Sequence, residues 1–331
     1  MFIIGSYSLA VLCCFITMLC WGSWANTQKL ASERWRFELF YWDYVFGIVL
    51  FALLFGFTAG SAGAVGRAMP ADLAQADAVN LASALLGGVL FNAANILLVA
   101  SIAIAGMSVA FPTGIGLALV IGVVVNYLDR PEGNATLLFG GTLLVAVAIL
   151  LNAWAYRRAA VNRRKTPTKG LVLAIVAGGL MGLFYKYVAN SMFPDFEVPL
   201  PGKLSPYSAV LVFSLGILAS NCLFNTLLMR FPFEGQRVRY RDYLRGGSRD
   251  HLMGILGGAI WCLGMSFSIL ASDEAGPAIS YGLGQGATIV AAVWGIYVWR
   301  EFAGAPGGTR AILNVMLVCY LIGLGLIVAA G

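Results

Sequence analysis

Two charged side chains stand inside apolar runs of this 331-residue chain, Asp43 and Lys186. A charge at bilayer depth is costly and is kept where it carries a proton, works a gate or pairs with an opposite charge. Asp43 follows the charged break holding Lys29, Glu33, Arg34 and Arg36, about one turn inside its own run. Lys29 and Asp43 are therefore candidates for a gate or coupling pair, with a structural pair or snorkelling as the alternative. Asp43 is the acid within a run, and the one histidine, His251, lies at a run boundary. Lys186 is flanked by Tyr185 and Tyr187. It is read either as a gate or substrate residue paired with Asp273 or Glu274, or as a side chain snorkelling to the surface.

Uncharged groups suit a different task. A small neutral polar ligand is held by flat aromatic faces and a few amide or hydroxyl partners. Near mid-depth the runs carry Trp21, Trp24, Asn92, Asn95, Thr113, Tyr185, Trp261, Tyr281 and Gln285. Asn92 and Asn95 are three apart and Tyr281 and Gln285 four apart, so each pair shares a helix face. Asn221 and Asn225 make a further four-apart pair nearer the end of their run. Each is also the kind of residue that bonds or packs between helices, and their meeting at one depth carries the substrate-binding reading. No paired carboxylates, metal-ligand set or nucleophile–base arrangement stands out, so no enzyme, metal or cofactor is expected. The six cysteines all fall in apolar runs and give no disulfide framework.

The elements that position these residues follow from composition. The chain is 60% hydrophobic and 11% charged, with mean hydropathy +0.84, whereas soluble domains carry about 25% charged residues. Ten runs are long enough to cross a bilayer as helices: 5–28, 39–59, 79–105, 107–128, 135–156, 171–192, 206–229, 252–271, 276–299 and 311–330. The first lacks a basic leader and reads as a span rather than a signal peptide. Tight turns are expected at Gly106 and at Ser272–Ala275. Of the 21 basic residues, 17 lie in loops after odd-numbered runs. That bias puts those loops in the cytoplasm and both termini outside. The net charge of +6 is then a membrane-facing collar, with lipid rather than nucleic acid as its partner.

A shift of 170 residues superposes Gly87, Gly88, Gly106, Gly114 and Gly116 on Gly257, Gly258, Gly276, Gly284 and Gly286, Phe91 on Trp261, Tyr127 on Tyr297 and Arg130 on Arg300. The period is five helices. Five is odd, so the second copy is inverted, as in alternating-access carriers. The expected fold is an all-α polytopic membrane protein of ten transmembrane helices in a 5+5 inverted repeat: residues 1–157, a basic linker 158–170, and 171–331. Gly114, Gly116, Gly284 and Gly286 are expected where spans four and nine meet.

With "YLDRPEG" and "YVWREFAG" closing spans four and nine, this layout resembles the drug/metabolite transporter superfamily. "ER...YWDY", "GGVLFNAANILLVASIAIAGMSVAFPTGIGLALVIGVVVNYLDR" and "YRDYLRGGSRDHLMGILGGAIWCLG" are similar to its ureide permease branch, a neighbour of the glucose/rhamnose sugar porters. The resemblance implies uptake of a small neutral polar compound, such as a ureide, pyrimidine or sugar, coupled to protons. Plant members have a longer central loop with a nucleotide-like motif. Here "YRRAAVNRRKTPTKG" is short and lacks a phosphate-binding loop. The expectation is thus a symporting permease of an inner membrane, with export on the same fold or a non-transporting receptor as alternatives.

Overall fold

Helices form where the apolar runs lie, because a backbone in lipid must satisfy its hydrogen bonds within its own segment. The computed structural model describes residues 1–331 apart from 33, 64, 106, 160–167, 234 and 301, and apart from the side chains of 103, 107–109, 111 and 112. In chain order the helices are α1 (Tyr7–Ser23), α2 (Asn26–Leu30), α3 (Phe37–Phe57), α4 (Met69–Gln75), α5 (Ala78–Ala105), α6 (Met107–Asp129), α7 (Ala135–Ala159), α8 (Thr168–Ser191), α9 (Pro206–Arg230), α10 (Tyr240–Tyr243), α11 (Ser248–Ala275), α12 (Pro277–Gly284), α13 (Ala287–Val293) and α14 (Thr309–Val328). Among the described residues eight segments are long and apolar enough to cross a membrane, and two shorter apolar helices are Tyr7–Ser23 and Thr113–Asp129. Leu50, Leu54, Leu143, Leu150 and Leu321 are exposed on the outside of the bundle, as lipid contact requires. The protein is a multi-pass membrane protein.

Three boundaries differ from those expected. Segment one is broken at Trp24–Ala25, between α1 and α2. Segment nine is broken at Gln285–Gly286, then ends in a π-helical turn over Trp294–Val298. At that break the amides of Gly286, Thr288 and Ile289 bond three residues back instead of four, and the closely spaced Gly282, Gly284 and Gly286 lower the cost of leaving helical geometry. Ser272–Ala275 is helical to its end, and the turn is confined to Gly276. There a φ of 75° stops α11, and Pro277 starts α12 at a position where no amide is needed. The companion turn at Gly106 lies outside the described residues, as does most of the 158–170 linker.

The bundle has one end rich in basic loops and an opposite end carrying both termini. With the ten apolar runs of the sequence numbered I–X as segments, the contacts include III with VI and VIII with I, IV with VI and IX with I, II with VIII and VII with III, III with IV and VIII with IX, IV with V and IX with X, and the pairs V–X, II–VII and IV–IX. Lipid offers no hydrophobic drive for these contacts, so close approach of small residues supplies them. A Cβ on Gly47 would strike the Ile255 carbonyl, and one on Gly216 the Leu85 carbonyl. Gly258 abuts the Tyr44 carbonyl and Gly88 the Phe213 carbonyl. Gly141 and Gly323 each face the other's carbonyl.

The segment IV–IX contact is not made by the glycines expected there. Gly284 lies against Trp21, Gly286 against Leu324 and Met18, Gly114 against Leu98, and Gly116 against Ile149. Instead Gly122 receives the Tyr281 ring and Gly282 faces Val123. The two segments touch toward the opposite end and part toward the basic end, because the large ring of Tyr281 fits only where α6 lacks a side chain.

Candidate functional site

A cavity of about 160 Å³ fills the space where segments IV and IX part. Its walls are Trp21, Gly22, Trp24, Ala25, Phe91, Asn95, Leu98, Ile115, Met181, Phe184, Trp261, Gln285, Ala287, Thr288 and Ala291. Both helix breaks, Trp24–Ala25 and Gln285 with Ala287, line it. Unwound segments at a midplane cavity are a recurrent carrier feature, because they free polar backbone and side-chain groups for a ligand.

Aromatic rings build the cavity's main face. Trp21 and Trp261 stack with centroids 5.8 Å apart at 10°, and the Trp21 Nε1 donates to the Trp261 carbonyl (3.1 Å). Gly264 and Gly284 both leave just enough room for the Trp21 indole. Phe91 lies 4.4 Å from Trp261, and Trp24 lies 4.6 Å from Tyr44 behind it. Toward the opposite end the cavity is sealed by Phe91, Phe184, Tyr185 and Tyr281. Phe184 and Phe91 centroids are 5.3 Å apart, and Tyr185 and Tyr281 are 5.4 Å apart. Tyr281 donates to the carbonyls of Ala118 and Met181 (3.2 Å each), and Tyr185 to that of Ser268 (3.0 Å).

The polar groups divide into committed and uncommitted. Asn92 is fully buried. It accepts from Tyr41 (2.9 Å) and donates to Ser220 Oγ (2.9 Å) and the Ile217 carbonyl (3.4 Å). Asn95 donates to the Tyr41 oxygen (3.1 Å), and its own carbonyl oxygen has no partner among the described residues. Gln285 makes no side-chain hydrogen bond with any described residue, and it lines the cavity. Thr288 is spent on the Gln285 carbonyl (3.1 Å) and on Tyr320 (2.6 Å). The site thus offers an aromatic slot with one amide and one further carbonyl oxygen available. It carries no charge. No cluster of His, Cys, Asp and Glu suited to a metal occurs among the described residues.

The family model described as ureide permease matches residues 40–168 and 155–330. The chain belongs to the ureide permease family. Ureide permease 5 of Arabidopsis thaliana is 24% identical over 99% of this chain and 96% of its own length. Ureide permease 1 of the same plant is 22% identical over 100% and 99%, and the probable ureide permease A3 of Vigna unguiculata is 30% identical over 43% and 39%. A solved structure, described only as the crystal structure of a protein, has the same fold. It superposes with TM-score 0.62 at 17% identity, covering 96% of this chain and 98% of its own.

In this ureide permease family member, Trp21, Trp24, Asn95, Trp261 and Gln285, of the nine residues singled out in the sequence, line the cavity. Asn92, Tyr185 and Tyr281 lie behind its wall, committed to neighbouring helices. Thr113 is half-buried on α6 and does not line the cavity. Phe91, Met181, Phe184 and Thr288 line it without having been singled out. Phe91 had a signal, since it superposes on Trp261 under the 170-residue shift; Phe184 and Met181 are apolar residues in apolar helices and had none.

The charged candidates have partners other than those expected. Asp43 accepts from Tyr243 (2.6 Å) and contacts His251 Nδ1 (2.9 Å), from α10 and α11 at the basic end. Gly254 makes room for Asp43, and Gly246 for His251 and for Trp35, whose ring packs 4.9 Å from the imidazole. Burial and the Asp43 carboxylate both hold the Tyr243 phenol above its ordinary value. Lys29 stands 4.5 Å over the Trp299 ring, not beside Asp43. The α2 helix that carries Lys29 is drawn to segment IX, where Trp299 donates to Asn26 (2.7 Å) and Trp294 to Ser23 (2.9 Å). Lys186 pairs with Asp129 (2.8 Å), while Asp273 caps the Phe196 amide (3.2 Å). The register of α6 against α8 brings Asp129 to Lys186, and the 191–206 loop takes Asp273. At the same end Arg67 bonds Asp72 (2.9 Å) and the Lys203 carbonyl (2.9 Å), and Tyr207 bonds the Phe2 carbonyl (3.0 Å). Glu38, left outside segment two by the sequence boundary, lies in the first turn of α3, 5% exposed.

Proposed function

We propose that this permease is a secondary carrier that takes up a small neutral polar metabolite, of the ureide, pyrimidine or sugar class, by alternating access. The observation that carries this reading is the uncommitted amide of Gln285, with the free oxygen of Asn95, facing an uncharged aromatic slot at two helix breaks. An apolar slot of about 160 Å³ rejects charged solutes by desolvation and suits a flat or compact one. Trp21, Trp24, Asn95, Trp261 and Gln285 contact the substrate. Asn92, Tyr185 and Tyr281 hold the wall, and Thr113 has no direct part. The names of the Arabidopsis relatives, ureide permeases 1 and 5, support the ureide class.

The two halves, 1–157 and 171–331, form an inverted 5+5 pair of the drug/metabolite transporter layout. Support comes from the larger helix contacts, whose partners are preserved when each segment number is exchanged with the one five away, and from the matched collisions Gly47–Ile255 and Gly216–Leu85, in which Leu85 and Ile255 are 170 apart. Both termini lie outside an inner membrane and the basic loops inside. The cavity then leans toward the cytoplasm, with the aromatic floor and the Lys186–Asp129 and Arg67–Asp72 ties closing the outer side. Asp43, with Tyr243 and His251, is the cytoplasmic gate. Lys29 moves with segment IX as its companion, and protons are the coupling ion.

Counterflow in proteoliposomes tests this reading. Vesicles preloaded with allantoin, uracil, glucose or rhamnose, each with its labelled counterpart outside and no gradient, are expected to accumulate label for one class. A folded, correctly inserted protein that exchanges none of them would remove the ureide, pyrimidine and sugar classes together.

A further inference from the structure

Three helices each place a same-face polar pair on one buried seam. These are Glu38 and Tyr41 on α3, Asn92 and Asn95 on α5, and Asn221 and Asn225 on α9. The helix α9 packs on both α3 and α5, so the pairs converge. At one end Asn95 opens into the central cavity. Its amide reaches the Tyr41 hydroxyl, which bonds Asn92, which bonds Ser220. At the other end Asn225 donates to the Glu38 backbone carbonyl (2.9 Å). Glu38 itself lines a separate hollow of about 190 Å³ with Arg36, Phe37, Val99, Ala100, Leu228 and Phe233 at the basic end.

Between these ends stands Asn221. It is 0% exposed, and neither its amide nitrogen nor its oxygen has a partner; the Asn225 oxygen, also 0% exposed, has none either. Three unpartnered polar atoms on one helix face are too costly to persist dry. Buried water is the usual remedy where a site is polar and each molecule finds several partners. Donors and acceptors are present here in both kinds, whereas the cavity's aromatic slot offers few. Arg36 bonds the Glu38 carboxylate through Nε (3.2 Å) and Nη2 (2.5 Å), and the rest of the hollow's lining is apolar: Phe37, Val99, Ala100, Leu228 and Phe233.

We propose that this seam is a hydrated conduit, running from the Glu38 hollow past Asn225, Asn221 and Tyr41 to Asn95, by which water and protons reach the substrate cavity without passing the Asp43 gate. It deepens the carrier reading by assigning proton access to a route of its own, with Glu38 as the ionisable carboxylate at its mouth.

The test is cysteine accessibility in the full-length protein, with Cys222 and Cys319 replaced by serine. The probe is 2-aminoethyl methanethiosulfonate applied from the basic side of oriented vesicles. Asn221→Cys and Asn225→Cys are expected to label at least tenfold faster than Leu223→Cys, which shares the depth but is exposed on the outside of the bundle. Labelling of both at the Leu223→Cys rate means a dry seam and overturns the proposal. The two asparagine positions guard against one variant failing to fold. A second arm uses transport of whichever of allantoin or uracil the wild type exchanges. Glu38→Gln is expected to reduce uptake driven by a pH step tenfold while counterflow stays within twofold; equal loss of both, with labelling intact, would refute Glu38 as the mouth. A wild type that exchanges but ignores the pH step would refute proton coupling instead, and the labelling result would still decide whether water fills the seam.

Discussion

Gln285 and Asn92 are both amides at similar depth, and the structure assigns them opposite consequences on removal. The Gln285 side chain has no hydrogen-bond partner among the described residues, and the residue lines the cavity. Replacing it with leucine takes nothing from the folded protein. It removes two hydrogen bonds from a bound neutral solute, each worth about 0.5–1.5 kcal/mol. A loss of about 2 kcal/mol is about a 30-fold rise in the half-saturating concentration. Asn92→Leu instead breaks the bonds to Tyr41, Ser220 and the Ile217 carbonyl. Interhelical bonds in membranes average about 0.6 kcal/mol, so the sum is about 2 kcal/mol of stability, read as a melting temperature lower by several degrees in detergent. Counterflow at graded substrate concentration and thermal melting of the same preparations separate the two. The reasoning fails if Gln285→Leu leaves the half-saturating concentration within twofold, or if it lowers the melting temperature as much as Asn92→Leu does.

Other outcomes follow from the same geometry. Asp43→Ala removes the acceptor of Tyr243 and His251 and is expected to loosen α10, so trypsin should cut the 230–248 loop several-fold faster from the basic side; an unchanged rate would remove Asp43 as the tie. The raised Tyr243 phenol is protonated in the folded state beyond its unfolded value, so its contribution is complete below about pH 10 and is lost as pH rises further. Trypsin resistance of the loop should therefore persist through neutral and mildly alkaline pH and fall above it, and Tyr243→Phe should abolish that alkaline step. Gly47→Ala and Gly216→Ala meet matched carbonyls and should destabilise by similar amounts, about 1–3 kcal/mol each; one costly and one harmless variant would argue against equivalent halves. The Lys186–Asp129 pair is partly exposed, at 34% and 24%, so Lys186→Met should cost less than about 1 kcal/mol of stability, yet as a tie on the outer side its loss should change the counterflow rate more than twofold; a rate within twofold of wild type would remove the pair as an outer closure.

Composition and run length alone determined that this chain crosses a membrane as helices, because lipid leaves the backbone no other economical solution. The 170-residue echo of glycines, with Phe91 over Trp261, was legible because close backbone approach admits no side chain and so leaves a residue-type trace. Candidate aromatics and amides were legible too, since polar groups are scarce in such runs. Which of them line the cavity was not. Asn92 and Asn95 share a helix face, yet the Tyr41 hydroxyl and Ser220 absorb one and leave the other open, and both partners come from helices distant in sequence. Asp43 met His251 and Tyr243 rather than Lys29 for the same reason. A sequence states which residues are polar and at what depth, but a hydrogen bond needs atoms within about 3 Å of each other. That proximity is set by the rotation and crossing of whole helices, and only the tertiary structure decides it.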